Sequence, residues 1–590
     1  MDEKATNKRK FDFGLLARII SLAAPYKKLF ALTIVLAIIV APVSMLRPYI
    51  VSVMVDDYIL HSDLPGLYKM AIVFVIVVFL TVILRYLMIY FSSLLGQSVI
   101  RDLRKNVFDH ITSLRLRYFD QTPIGKVTTR TINDVETINT VFTQGLITMA
   151  ADLLGIFAVI GIMFFTSWRL TLLVLAVFPF LIIAAYIFKE KVKVAFEKVR
   201  GELSNMNAFL QERITGMNII QIFNAEKQEM RKFKKINRRY TQANLDAITY
   251  YAIFFPVVEM FNYLTLAILV YVGATYVIHE EVTLGALIAF PWYINLLFSP
   301  VRMLADKFNT LQMGMVAGDR VFLELDRREI IPDHGYQKPK SLRGKVEFFD
   351  VDFSYDGEQT ILKKVNFTLD AEKTLAIVGS TGSGKTTIIN VLARFYDIAG
   401  GQVLIDGEDI KTYKLQDLRS KMAVVLQDVF LFHGTVYDNI TLRDSSITLE
   451  KVKEAAASIG ADKFIDVLPN GYEYEVMERG ANLSMGQRQL ISFVRALVVD
   501  PDILILDEAT SSIDTETEEI IQYAIEKLIA KRSSIIIAHR LSTIRNADYI
   551  MVMAKGEVLE FGHHNELMKN SDGKYRELYE MQFSGEEVMG

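Results

Sequence analysis

"TLAIVGSTGSGKTTIINVLARFY", Thr374 to Tyr396, decides the fold of the C-terminal half of this 590-residue sequence. A short apolar run, Thr374–Val378, leads into G-x-x-x-x-G-K-[ST] at Gly379–Thr386, and a helical pattern starts at once behind it. Strand, glycine loop and helix in that order make a cradle for phosphate, because backbone N–H groups at a helix N-terminus point at an anion. Gly379, Gly382 and Gly384 let the backbone close around phosphate oxygens, with Ser380, Thr381, Ser383 and Thr387 completing the loop. Lys385 supplies a cation, and the Thr386 hydroxyl suits Mg2+.

The second half of such a site is "ILILDEA". Asp507 ends an apolar strand, where its carboxylate can orient Mg2+, and Glu508 follows, where it can polarise an attacking water. Two acids in that place can also merely cap the next helix. Beside a phosphate loop the catalytic reading carries more. His539 closes "SSIIIAH" at a strand C-terminus, the edge where open α/β sheets bind ligands, and from there it can reach a γ-phosphate and support Glu508.

Around these motifs short β-branched runs such as "KVEFFDVDFSY" and "MAVVLQ" alternate with helical segments, which reads as buried strands of a parallel sheet. The expectation is an α/β phosphate-loop nucleotide-binding domain at 345–585, a tail at 586–590 and a linker at 321–344.

Upstream the chain changes character. Hydrophobic residues make up 51% of the sequence and mean hydropathy is +0.27, values that call for a membrane part. Six apolar runs, at 30–55, 69–93, 144–166, 168–188, 249–277 and 283–305, meet the ~20 residues needed to cross ~30 Å of hydrocarbon. They define an α-helical membrane domain at 29–320. Lys and Arg crowd two connections, from Arg101 to Arg130 and from Lys189 to Arg239, and are sparse in "VDDYILHSDLPG", "TSWR" and "IHEEVT". The positive-inside rule then puts both termini in the cytoplasm of a multi-pass protein of the cell membrane, of the bacterial inner or plasma type. Residues 1–28 are basic and lack a cleavage site, so they read as an amphipathic cytosolic lead-in rather than a signal peptide. A net charge of −3 makes no case for nucleic acid, and the absence of cysteine excludes disulfides, thiolate metal sites and thiol nucleophiles.

The two basic connections are each about fifty residues, too long for structureless loops. Their apolar residues keep a helical period, so helices should leave the membrane and return, turning at tips such as "RYFDQTPIG" with Pro123 and Gly125.

With these residues in hand, nearly the whole sequence resembles an ABC exporter half-transporter, six spans fused to one ATP-binding cassette. Tyr355 in "FSYDG" resembles the aromatic that stacks on adenine. Gln427 in "VVLQD" resembles the Q-loop residue that reaches Mg2+, and "ERG" at 478–480 the exporter X-loop. "LSMGQ" resembles the family's signature, placing Ser484, Met485, Gly486 and Gln487 against ATP held by a partner chain. "SSID" resembles the D-loop, with Asp514, and His539 the switch histidine. "YFDQTPIGKVTTRTINDV" resembles the first intracellular loop of exporters. The resemblance implies ATP and Mg2+ as ligands, Glu508, His539 and Gln427 as catalytic residues, and transport driven by a pair of cassettes.

Met485 departs from the pattern, since the family usually has glycine there. The resemblance implies that an intact Glu508 beside an altered signature belongs to one subunit of a heterodimer; a homodimer in which Met is tolerated is the alternative. The expected cargo is a hydrophobic or amphipathic, drug-like small molecule, with a homodimeric lipid flippase as the rival and an ATP-gated channel further off. Glu259 and Asn262 are candidates to line a cavity. Arg47, Arg85 and Asp152 are the other charges in or near apolar runs, and Pro291 and Pro300 should kink the last span.

Overall fold

Where the sequence has its apolar runs, the computed structural model has helices much longer than a bilayer is thick. It describes residues 12–507, 515–538 and 541–583. Contacts divide the chain into two units, Met1–Thr112 with Pro123–Arg327, and Ser113–Thr122 with Arg328–Gly590.

Five stretches of the first unit are long and apolar enough to span a membrane: Ala24–Ile59, Leu64–Ser113, Ile124–Thr166, Trp168–Thr215 and Glu226–Ile278. The sixth expected span lies in the helix Leu284–Leu325, whose apolar stretch reaches Pro300 among the described residues. Pro291 and Pro300 both sit inside that helix, which continues past them. Large apolar side chains such as Ile72, Phe79 and Val82 stay exposed, as a surface bathed in lipid allows. The interior packs Leu170, Val174, Leu181, Phe290 and Tyr293, and the Phe188 and Phe254 rings stack at 3.8 Å between the fourth and fifth long helices. Ser167 and Thr283 cap their helices by accepting from the N–H groups of Leu170 and Ala286.

The long inner connections are helical, as their period requires. Trp168–Thr215 and Glu226–Ile278 run side by side beyond the apolar region, joined by Lys198–Asp246 at 2.8 Å and Arg213–Glu229 at 2.7 Å. Their tip is the short helix Met217–Ile222. The return limb of the first connection is not one regular helix. Pro123 starts it, and π-helical turns interrupt it at Arg130–Asp134 and Val141–Leu146. Of the intramembrane charges, Asp152 is paired with Lys307 on the last long helix, and Arg47 donates to the Ser44 carbonyl at 3.3 Å.

In the second unit a six-stranded sheet runs in the order Glu557–Gly562, Tyr549–Ala554, Thr374–Gly379, Ser533–Ile537, Ile503–Asp507, Met422–Val425. All neighbours are parallel except the first pair. Ser533–Ile537 is buried at every position, which is why these strands read as unbroken apolar runs. "KVEFFDVDFSY" is the exception. Val346–Ser354 pairs antiparallel with Thr360–Leu369 and Gly400–Ile405 in a separate four-stranded sheet. Its burial alternates over much of its length, the mark of a strand with one covered face.

Candidate nucleotide site

The phosphate loop lies between the central strand Thr374–Gly379 and the helix Lys385–Leu392. Gly384 caps that helix with φ +105°, and Gly382 has φ +82°, both in the left-handed region that favours glycine. A Cβ on Gly379 would come within 2.2 Å of the Met553 carbonyl oxygen. Nζ of Lys385 folds back over the loop and donates to the carbonyls of Gly379 (2.7 Å) and Ser380 (3.1 Å). Burial lowers the Lys385 pKa, and the charge of Asp507 opposes that shift. Ser383 is buried and its Oγ finds no partner, so the loop holds a polar atom able to take up a phosphate oxygen.

Parallel pairing sets the rest of the site along one sheet edge. Ile537 faces both Ile377 and Asp507 in register, and Leu506 faces Val425. Asp507 therefore ends its strand one strand beyond the segment that ends next to the phosphate-loop strand, and Gln427 follows the outer strand, exposed. Thr386 is exposed in the first helical turn. Among the described residues no cluster of three or more His, Asp and Glu could hold a metal by itself. A single carboxylate and a hydroxyl suit Mg2+, which takes its remaining ligands from phosphates and water. Glu508, Asp514 and His539 lie outside the described residues.

Tyr355 is half-buried. Its hydroxyl is 3.2 Å from Thr387 Oγ1 and accepts from Asn390 Nδ2 at 3.0 Å, which ties it to the phosphate-loop helix. No sequence motif marks Tyr396, Asn390 or Asp120, although "ARFYD" directly follows the phosphate-loop helix.

The signature starts the helix Met485–Val498 with a capping box: Ser484 Oγ accepts from Gln487 N–H at 3.2 Å, and Gln487 Oε1 accepts from Ser484 N–H at 2.9 Å. Gly486 is buried, and Met485 is half-buried. Met485 borders a cleft of about 180 Å³ within its own cassette, together with Gln427, Val429 and Arg479. Asn262, the cavity candidate, donates to Asn295 Oδ1 at 3.2 Å, and Glu259 is exposed.

Residues 30–301 match the family described as the ABC transporter transmembrane region, and residues 362–511 match the ABC transporter family. The chain belongs to the ABC transporters. Among its relatives are the "Uncharacterized ABC transporter ATP-binding protein YknV" of Bacillus subtilis, 38% identical over 98% of this chain and 96% of that protein, and the "Probable multidrug resistance ABC transporter ATP-binding/permease protein YheH" of the same species, 39% identical over 84% of this chain and 73% of that protein. An "ATP-dependent lipid A-core flippase" of Syntrophus aciditrophicus is 32% identical over 97% of this chain and 95% of that protein. This ABC exporter chain therefore carries membrane helices and cassette in one polypeptide, binds ATP, and is an ATPase coupled to transport.

Proposed function

We propose that this exporter chain moves hydrophobic or amphipathic, drug-like compounds out of the cytoplasm or the inner leaflet, as one half of a heterodimer with a second half-transporter. The observation that carries the engine is the loop Gly379–Thr387, held between a buried strand and a helix start with Lys385 folded over it. ATP would lie there with adenine against Tyr355. Thr386, Asp507 and Gln427 would hold Mg2+, which neutralises phosphate charge when bound. Glu508 would align the attacking water, His539 would support it at the γ-phosphate, and Asp514 would face the partner.

Two features support a partner cassette. The tip around Met217–Ile222 exposes Ile219, Ile222 and Phe223 at 60%, 72% and 74%, apolar surface fit for docking on protein. Met485, beside an intact Glu508, favours a partner that supplies the better signature. ATP sandwiched between two cassettes favours the closed pair, and only such differential affinity can move the membrane helices from inward-open to outward-open. The basic residues of the two long connections support cytoplasmic termini, and the bacterial relatives support a cell membrane of bacterial type.

The relatives named for multidrug export favour drug-like cargo, whereas the flippase relatives favour lipid cargo, the alternative paired here with a homodimer. Glu508→Gln is the central test. It should bind ATP and lose turnover by at least ~100-fold, in line with removal of a catalytic base; retention of full ATPase activity would end the assignment. Proteoliposomes given external ATP, which energises the copies whose cassettes face outward, and assayed for ethidium uptake and for fluorescent-lipid flipping, separate the two cargo classes.

A further inference from the structure

The helix Leu116–Gln121 at the first inner tip belongs to the same compact unit as the cassette. Tyr118 is fully buried there. Arg115 donates from its backbone to the Glu329 carbonyl and from Nε to the Ile330 carbonyl, both at 2.9 Å. Next to it, Asp120 accepts a hydrogen bond from the Tyr396 hydroxyl. Tyr396 is only 8% exposed. Its ring stands edge-on to Tyr355, with centroids 5.0 Å apart at 88°. The Tyr355 hydroxyl in turn meets Thr387 and Asn390 on the phosphate-loop helix. Two contacts thus lead from a membrane-connected tip to the residue proposed to stack on adenine, and Tyr355 in turn is tied to the phosphate-loop helix.

The geometry points to Tyr396 as a positioning residue that lets the first inner tip set the Tyr355 ring, and so the affinity for the adenine end of ATP. Tyr396 has a ring for one neighbour and a hydroxyl for the other, so the two contacts cannot move independently. An edge-on pair has a preferred geometry and loses attraction when tilted or drawn apart. Displacing Asp120 therefore displaces the adenine platform without touching the phosphate loop's backbone. The inference rests on the proposed role of Tyr355 and goes beyond it.

The test uses the full-length assembly in detergent and two competing probes, ATP and inorganic tripolyphosphate, the second lacking adenine. Asp120→Ala and Tyr396→Phe should each weaken ATP by roughly two- to ten-fold and leave tripolyphosphate unchanged. The double variant should be no worse than the poorer single one. Tyr396→Leu, which removes the ring, should match Tyr355→Leu. Unchanged ATP affinity in Asp120→Ala, or an equal loss for both probes, overturns the inference. If Tyr355→Leu itself leaves ATP binding intact, the adenine assignment fails instead, whatever the Asp120 variants do.

Discussion

Arg18 grips Asp326 with both arms of its guanidinium, at 2.7 and 2.6 Å, while its Cζ lies 4.1 Å above the Phe322 ring. The pair fastens the N-terminal helix Phe13–Ser21 to the C-terminal end of the last long helix. Next to it Ile19 is fully buried, and a Cβ on Gly318 would come 2.9 Å from Ile19 Cδ1. Half-exposed ion pairs contribute only about 0–1 kcal/mol, whereas a buried Ile contributes about 1.5–3 kcal/mol. Packing should outrank charge. Arg18→Ala is expected to cost under ~1 kcal/mol, and Ile19→Asp or Gly318→Leu should free the segment altogether. Limited proteolysis reads this out: early cleavage near residue 20 in the packing variants but not in Arg18→Ala.

Lys385 gives the cassette a pH dependence. Its folded-state pKa is lowered, with burial as the larger cause. A depressed lysine loses its proton at a pH where an ordinary lysine keeps it, and the neutral amine no longer attracts phosphate. The alkaline limb of kcat/KM for ATP, which reports the free enzyme, should therefore fall below the usual lysine range. The stability sign is opposite. Burying the charged amine costs free energy at low pH, and that cost is relieved as pH rises through the lowered pKa. Lys385→Arg, whose guanidinium stays charged, should lack the alkaline limb even though its turnover is poorer.

How much of this could be read in the sequence depended on how locally each feature is written. Gly379–Thr387 carries its geometry in its own backbone needs, so strand, loop and helix were all legible. Asp507 was legible because an apolar strand ends on it. The antiparallel pairing of Val346–Ser354 is not legible, because its apolar composition matches that of the parallel strands and does not reveal which partner a strand takes. The π-helical turns at Arg130–Asp134 and Val141–Leu146 were not legible, since "TRTINDV" keeps an ordinary helical period. Tyr396 and Asp120 are far apart in sequence and meet only through the tertiary fold. No pattern along the chain marks such a pair.

Asp152 and Lys307 join two membrane helices, with side chains 31% and 16% exposed. Removing one partner strands the other charge where solvation is poor, which costs about 3–5 kcal/mol when burial is complete. With this partial exposure, on the order of 2 kcal/mol is expected. Asp152→Ala should melt earlier in detergent than the wild type. Asp152→Ala with Lys307→Met should recover most of the loss, because no unpaired charge remains. A double variant less stable than the single one would show that the pair does more than cancel its own charges.

Met485 separates the two assemblies. Met485 borders a cleft of its own cassette, as do Gln427 and Val429, and a flexible thioether can adapt to an irregular gap. In a heterodimer this signature serves only the weaker ATP site, while Glu508 serves the productive one. Met485→Gly in the assembled exporter should then change turnover by less than about two-fold, while Glu508→Gln removes roughly 100-fold or more. In a homodimer both sites use both residues, so restoring glycine would act on every site at once and alter turnover well beyond that margin. ATPase activity of the purified complex, measured with Met485→Leu as the volume-matched control, distinguishes them. A large response to Met485→Gly with none to Met485→Leu would remove the case for an unequal pair.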